Sequence, residues 1–86
     1  MDPYNIIKYP LSTEKSIRLM ESENKLIFVV NKKATKKEIK KAIEELFKVE
    51  VDYVNTLVNP EGEKRAYVKF SAKNPAIDIA TQMGLM

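Results

Sequence analysis

Six lysines fall within the ten positions from Lys32 to Lys41 of the segment NKKATKKEIKKAIEELF (31–47), with Glu38 the single acid among them. Such a block makes and breaks no bonds; the chemistry open to it is the binding of an anion. Its unusual feature is the order of charge. A helix starting near residue 36 is positive at its first turn, so Lys36 and Lys37 each stand where an exposed cation costs ~0.3–1 kcal/mol at low salt. Lys40–Glu44 and Lys41–Glu45 are spaced i,i+4, but lysine first, the weaker orientation, worth at most ~0.5 kcal/mol each. Local stability does not account for this order. A phosphate does: the free N–H groups and positive dipole of a helix start already attract anions, and the ammonium groups add to them.

The bland alternative is a solvated face of a lysine-rich chain. The distribution of charge favours the sharper one. The block carries +5, while the whole chain carries +3, so the remaining residues sum to −2. All the positive excess sits in about a tenth of the sequence, the footprint of a nucleic-acid binder. Further basic residues extend it. Lys8, Lys15 and Arg18 lie on or beside the first strand and helix, and Lys64, Arg65 and Lys69 on the outward face of the last strand beside Tyr67. Tyr67 either stacks on a base or covers the sheet. Thr13 and Asn55 either meet phosphate or 2′-hydroxyl groups or serve as a cap and a turn residue.

Enzymatic chemistry finds no support. There is no Cys and no His, which excludes disulfides, the usual zinc sites and His-based proton transfer. Asp2, Asp52 and Asp78 are scattered, and Gly62 and Gly84 are too few and too far apart for a phosphate-cradling loop. No cofactor or metal is expected. The longest apolar run is LIFVV (26–30), far short of the ~20 residues of a membrane span. MDPYN has no signal-peptide character, and the expectation is a soluble, cytoplasmic protein.

The elements that must hold these residues are legible in outline. YNIIKYP (4–10) reads as a short strand stopping at Pro10. LSTEKSIRLMES reads as a helix capped by Ser12 or Thr13, with Ile17 and Met20 as its apolar face. KLIFVVN (25–31) is a strand apolar on both alternating faces, hence central and covered on both sides. Thr35-x-x-Glu38 is a capping box, and Ile39, Ala42, Ile43, Leu46 and Phe47 form the core-facing stripe of the helix it opens. VDYVNTLV (51–58) and RAYVKFS (65–71) form a hairpin across the turn residues Pro60 and Gly62. NPAIDIATQMG closes with a helix, Asn74 as N-cap and Pro75 at its first position. Phe28, Phe47 and Phe70 belong to the core. The expected fold is α+β: one domain over residues 1–86, with helices on a mainly antiparallel four-stranded sheet, in the order β-α-β-α-β-β-α.

With those elements placed, the chain resembles the large-subunit ribosomal protein 23 family in its archaeal form. The resemblance covers about residues 5–85. It is carried by IIKYPLSTEKS (6–16), with Pro10, Thr13, Glu14 and Lys15 at its centre, by NKLIFVVNKKATKKEIKKAIEELFKVEVDYVNTL (24–57) and by KRAYVKF (64–70). It implies a structural component of the large subunit that binds ribosomal RNA beside the exit of the nascent-peptide tunnel. Ribosomal protein 29 would be its neighbour, and the signal recognition particle and translocation channel would dock on the same rim. The implied RNA contacts are the Thr13–Lys15 region, then Lys32, Lys33, Thr35, Lys36 and Lys37, then Asn55 and the strand from Lys64 through Arg65 to Lys69. Lys8, Arg18 and Lys40 join them from the charge pattern. The sequence departs from bacterial members at 59–63, where NPEGE is short and acidic in place of a long basic loop. The resemblance therefore does not extend to nascent-chain contact inside the tunnel or to bacterial-type chaperone docking.

Two other readings compete. IFVVN (27–31) and AYVKF (66–70) faintly resemble the signatures of an RNA-recognition motif, which would need Phe28 and Tyr67 exposed on one face. A protein-interaction module would use the lysines for solubility and the apolar tail Ile77–Met86 for a partner.

Overall fold

A computed structural model describes residues 3–84. A helical turn, α1 (Pro3–Ile6), leads into β1 (Ile7–Pro10), followed by α2 (Glu14–Glu23), β2 (Lys25–Val30), α3 (Lys36–Phe47), β3 (Val51–Val58), β4 (Lys64–Phe70) and α4 (Ala76–Gln82). The four strands form one sheet in the order β1-β2-β4-β3, every pair antiparallel. The α+β architecture and element order are as expected, with α1 added in front.

Strand alternation sorts side chains between two faces. Leu26, Phe28 and Val30 of β2, Val54 of β3 and Ala66, Val68 and Phe70 of β4 join Met20 of α2, Ile39, Ala42 and Ile43 of α3 and Ile79 and Ala80 of α4 in one hydrophobic cluster. The helices thus supply the second layer on one sheet face. The opposite face carries Tyr9, Lys25, Ile27, Val29, Tyr53, Asn55, Leu57, Arg65, Tyr67 and Lys69, as the registers Val29↔Arg65, Ile27↔Tyr67, Asn55↔Tyr67 and Tyr53↔Lys69 require. Ile27 and Val29 are buried there as well, flanked in register by Tyr9, Arg65 and Tyr67. Strand β2 is therefore interior and covered on both sides, as its continuous apolar run demanded.

Local chemistry starts the helices. Thr35 Oγ1 accepts from Glu38 N–H at 3.2 Å and Glu38 Oε1 accepts from Thr35 N–H at 3.1 Å, the anticipated capping box. Thr13, not Ser12, caps α2, and Ser16 returns the bond to Thr13 N–H at 2.8 Å. That exchange, plus a bond from Ser16 to Thr13 O, lets the Ser16 hydroxyl be buried without an unpaired group. Ile17 is left 39% exposed, so of the two residues expected to form the apolar face of α2 only Met20 enters the core.

Strands β2 and β4 differ by one residue at their ends from the sequence reading, and two boundaries differ more. The first strand starts at Ile7 rather than Tyr4, because Ile6 turns into the core against α3 and its carbonyl accepts from Asn31 N–H at 2.9 Å. At the last helix Pro75 is the cap residue and Asn74 makes no cap. Asn74 Oδ1 accepts from Glu50 N–H instead, and the open N–H of Ala76 is met by the side chain of Asn24, at the far end of α2. Of the expected apolar tail, Ile79 and Ala80 are core and Ile77 is exposed, while Leu85 and Met86 lie outside the described residues.

Candidate nucleic-acid interface

Lys32 and Lys33 sit on the β2–α3 loop, shaped by Asn31, whose side-chain oxygen accepts from Lys33 N–H at 2.9 Å. Lys36 and Lys37 occupy the first turn of α3. All four are exposed, and none forms an ion pair among the described residues. Lys40 is half-buried and Lys41 exposed, and neither pairs with Glu44 or Glu45. Glu44 instead accepts from Val51 N–H at 3.2 Å. The lysines therefore point at solvent with their charge unspent.

Folding adds cations from three other segments. A shallow groove at this end of the sheet is lined by Lys8 of β1, Lys32 and Lys33 of the loop, Lys64 of β4, and Gly62 and Glu63 of the hairpin turn. Gly62 has φ +86°, the left-handed backbone that the turn requires of glycine, and Lys32 Nζ passes 2.7 Å from where a Cβ would lie. Lys64 does not join Arg65 and Lys69 on the outward face, as expected. Alternation turns it the other way, and its ammonium donates to Ala34 O at 2.6 Å, tying the lysine loop to β4.

The open sheet face holds the second group. Arg65 and Lys69 stand ~13 Å apart along β4, from the usual rise per residue. Tyr67 lies between them, half-buried, with Lys15 Nζ 5.6 Å from its ring centroid. Asn55 is exposed and directly opposite Tyr67. Lys69 donates to Glu23 O at the end of α2, a favourable place for a cation. Arg18 is on the solvent side of α2, one turn beyond Lys15, and is paired with Glu14 at 2.6 Å. Thr13 and Thr35 spend their side-chain oxygens as caps.

Acids modulate the site. The Arg65 guanidinium, through Nε at 2.9 Å, holds the Glu63 carboxyl below the usual carboxylate range, and Tyr9 Oη donates to the same carboxylate at 3.2 Å. That contact pushes the Tyr9 hydroxyl up. The backbone N–H of Thr35 likewise holds Glu38 low. Among the described residues no group of His, Cys, Asp or Glu has the makings of a metal site, and no helix is long and apolar enough to cross a membrane.

Phe28 is fully buried in the core cluster, and no strand follows α4 among the described residues. The RNA-recognition-motif reading fails on both counts. The chain matches the family described as Ribosomal protein L23 over residues 5–81. It belongs to that family. It is 46% identical to the large ribosomal subunit protein uL23 of Methanococcus aeolicus and 49% identical to that of Methanothermobacter thermautotrophicus, each over 99% of both chains. It is also 47% identical to the uL23 protein of Trypanosoma brucei brucei, over 99% of this chain and 52% of the longer relative. As a member of the L23 family the protein is a structural component of the cytoplasmic ribosome rather than an enzyme.

Three L23 residues of this surface escaped the sequence reading. Tyr53 and Lys25 form a second lysine–tyrosine pair on the open face, 5.6 Å from ammonium to ring centroid. Period-two alternation put Tyr53 on the face of Asn55, but nothing local brought Lys25 to it. Glu63 stands two residues before Arg65 on one strand face, a spacing that was available as a signal for their ion pair.

Proposed function

We propose that this L23-family chain is a constituent of the large ribosomal subunit that binds ribosomal RNA through the lysine end of the sheet and the adjoining open face. The observation that carries it is the cluster of Lys32, Lys33, Lys36 and Lys37, exposed, unpaired with acids among the described residues, and joined by Lys8 in one groove. Lys15, Arg65 and Lys69, with Asn55, extend the surface over the open face. The family resemblance of its sequence supports a binding place beside the tunnel exit, next to ribosomal protein 29. The acidic turn at 59–63 then lies at the lysine end, and the rim outside serves targeting factors such as the signal recognition particle and the translocation channel.

Replacing Lys32, Lys33, Lys36 and Lys37 together with Gln tests the RNA reading. With about four to six phosphate contacts in the parent, log K should fall with log salt at a slope of roughly −3 to −5, and the variant should bind more weakly with a shallower slope. An affinity for large-subunit RNA equal to the parent's at every salt concentration would sink it. Nuclease footprints on naked large-subunit RNA locate the binding helices.

A further inference from the structure

The sheet has two outer strands, and they are treated differently. Strand β1 is four residues long and ends on Pro10, which has no N–H to offer. Strand β3 is eight residues long, from Val51 to Val58, and pairs on one side only. Asn59 N–H donates back to Glu63 O across the hairpin, so by antiparallel alternation Leu57, Asn55 and Tyr53 turn their backbone groups towards β4. Val54, Thr56 and Val58 then turn theirs outward, and these find no partner among the described residues. Val51 is the exception, its N–H being taken by Glu44. The open stretch is thus the second half of the strand.

Its side chains are apolar and its own segment is acidic, while the basic residues opposite Leu57 and Val58 on β4 are already engaged, Arg65 by Glu63 and Lys64 by Ala34 O. Leu57 is 53% and Val58 58% exposed, the largest exposures among the big apolar residues described, and they project to opposite faces of the sheet. Residues 49–63 contain Glu50, Asp52, Glu61 and Glu63 and not one Lys or Arg, in a chain of net charge +3. Phosphate is repelled by such a rim, whereas a lysine- or arginine-bearing peptide is drawn to it. We infer that the free edge of β3 docks an extended basic segment of a neighbouring protein, added as a fifth strand over Val54–Val58. Backbone bonds from Val54, Thr56 and Val58 hold the segment. Its alternate side chains cover Leu57 on one face and Val58 on the other, and its cations meet Asp52 and Glu61 at the two ends.

The test uses the full-length chain, nitrogen-15 labelled, with three probes: a synthetic peptide alternating lysine with valine, its glutamate–valine counterpart, and a hairpin of large-subunit RNA. The lysine peptide should give saturable shifts at the amides of Val54, Thr56 and Val58 and slow their hydrogen exchange by about tenfold or more. Thr56→Pro removes an outward N–H without touching the ladder to β4 and should abolish the effect. Val58→Lys, which leaves the backbone intact, should weaken it by like charge. RNA affinity, measured on the same variants, should stay within about twofold of the parent, which keeps this edge separate from the lysine-end reading. The proposal is overturned by an equal response to the glutamate peptide, by binding that survives both substitutions, by RNA protecting these amides, or by self-association of the chain through them.

Discussion

The side chain of Asn24, at the end of α2, caps the start of α4: its Oδ1 accepts from Ala76 N–H at 2.6 Å, across 52 positions of sequence. Its Nδ2 lies 3.2 Å from each of three carbonyls, those of Phe70, Ser71 and Asn74. Its backbone sits at φ 56°, ψ 40°, the left-handed cap of α2, and its own carbonyl accepts from Phe70 N–H. One residue therefore ends one helix, starts another and holds the chain leaving β4.

Asn24→Ala should lower unfolding free energy in urea by on the order of 3 kcal/mol, from a lost cap, unpaired carbonyls and a Cβ residue without Asn's ease in the left-handed region. Asn24→Gly, which accepts that backbone, should fall between Ala and the parent. A glycine variant as stable as the parent would remove the amide from this account.

Lys64 is a strut as well as a charge. Loss of its bond to Ala34 O in Lys64→Met should cost about 1 kcal/mol. Lys33→Gln, whose ammonium holds nothing among the described residues, should leave stability unchanged while weakening RNA binding. Equal melting temperatures for Lys64→Met and the parent would show the strut to be idle.

Lys36 and Lys37 stand against the dipole of α3, so stability and binding should move in opposite directions. Lys36→Glu with Lys37→Glu should raise stability by about 0.3–1 kcal/mol per site at low salt, an advantage that fades as salt is added. RNA affinity should fall in the same protein. A loss of stability at low salt would mean that these lysines have structural partners.

Glu38 ties stability to pH. Its folded pKa is depressed, first by the Thr35 backbone N–H. A depressed carboxylate contributes stability that is fully present above its unfolded pKa, ~4.3, and is lost as pH falls through the folded value. The stability difference between the parent and Glu38→Gln should be constant from neutral pH down to about 5 and shrink below that. A pH-independent difference through the acid range would contradict the assignment.

Phe28 separates core packing from base stacking. Phe28→Leu should cost about 1–2 kcal/mol as a core truncation. Affinity for large-subunit RNA, measured well below the melting temperature, should not change. A selective loss of RNA binding would reopen a stacking role for the sheet.

Much of this protein was legible from local chemistry. The Thr35–Glu38 capping box, the Ile39–Ala42–Ile43 part of the α3 stripe and the doubly apolar β2 depend on residues within a few positions of one another, and each appears where the local pattern put it, while Leu46 and Phe47 at the end of that stripe are only half-buried. The lysine block needed no fold either, because six like charges in ten positions remain exposed in almost any packing. Sequence alone thus determined every element but α1, the fold class and the sign of the candidate surface.

Tertiary structure decided what joins what. The partnership of Asn24 with Ala76, of Lys64 with Ala34, and of Lys25 with Tyr53 all link segments that no periodicity relates. It also decided the strand order β1-β2-β4-β3, which makes β3 an edge whose second half has no backbone partner among the described residues. The physical reason is range. Helical and strand patterns are imposed by neighbours in the chain, whereas unpaired amides and buried cations are satisfied by whichever group the folded core brings near.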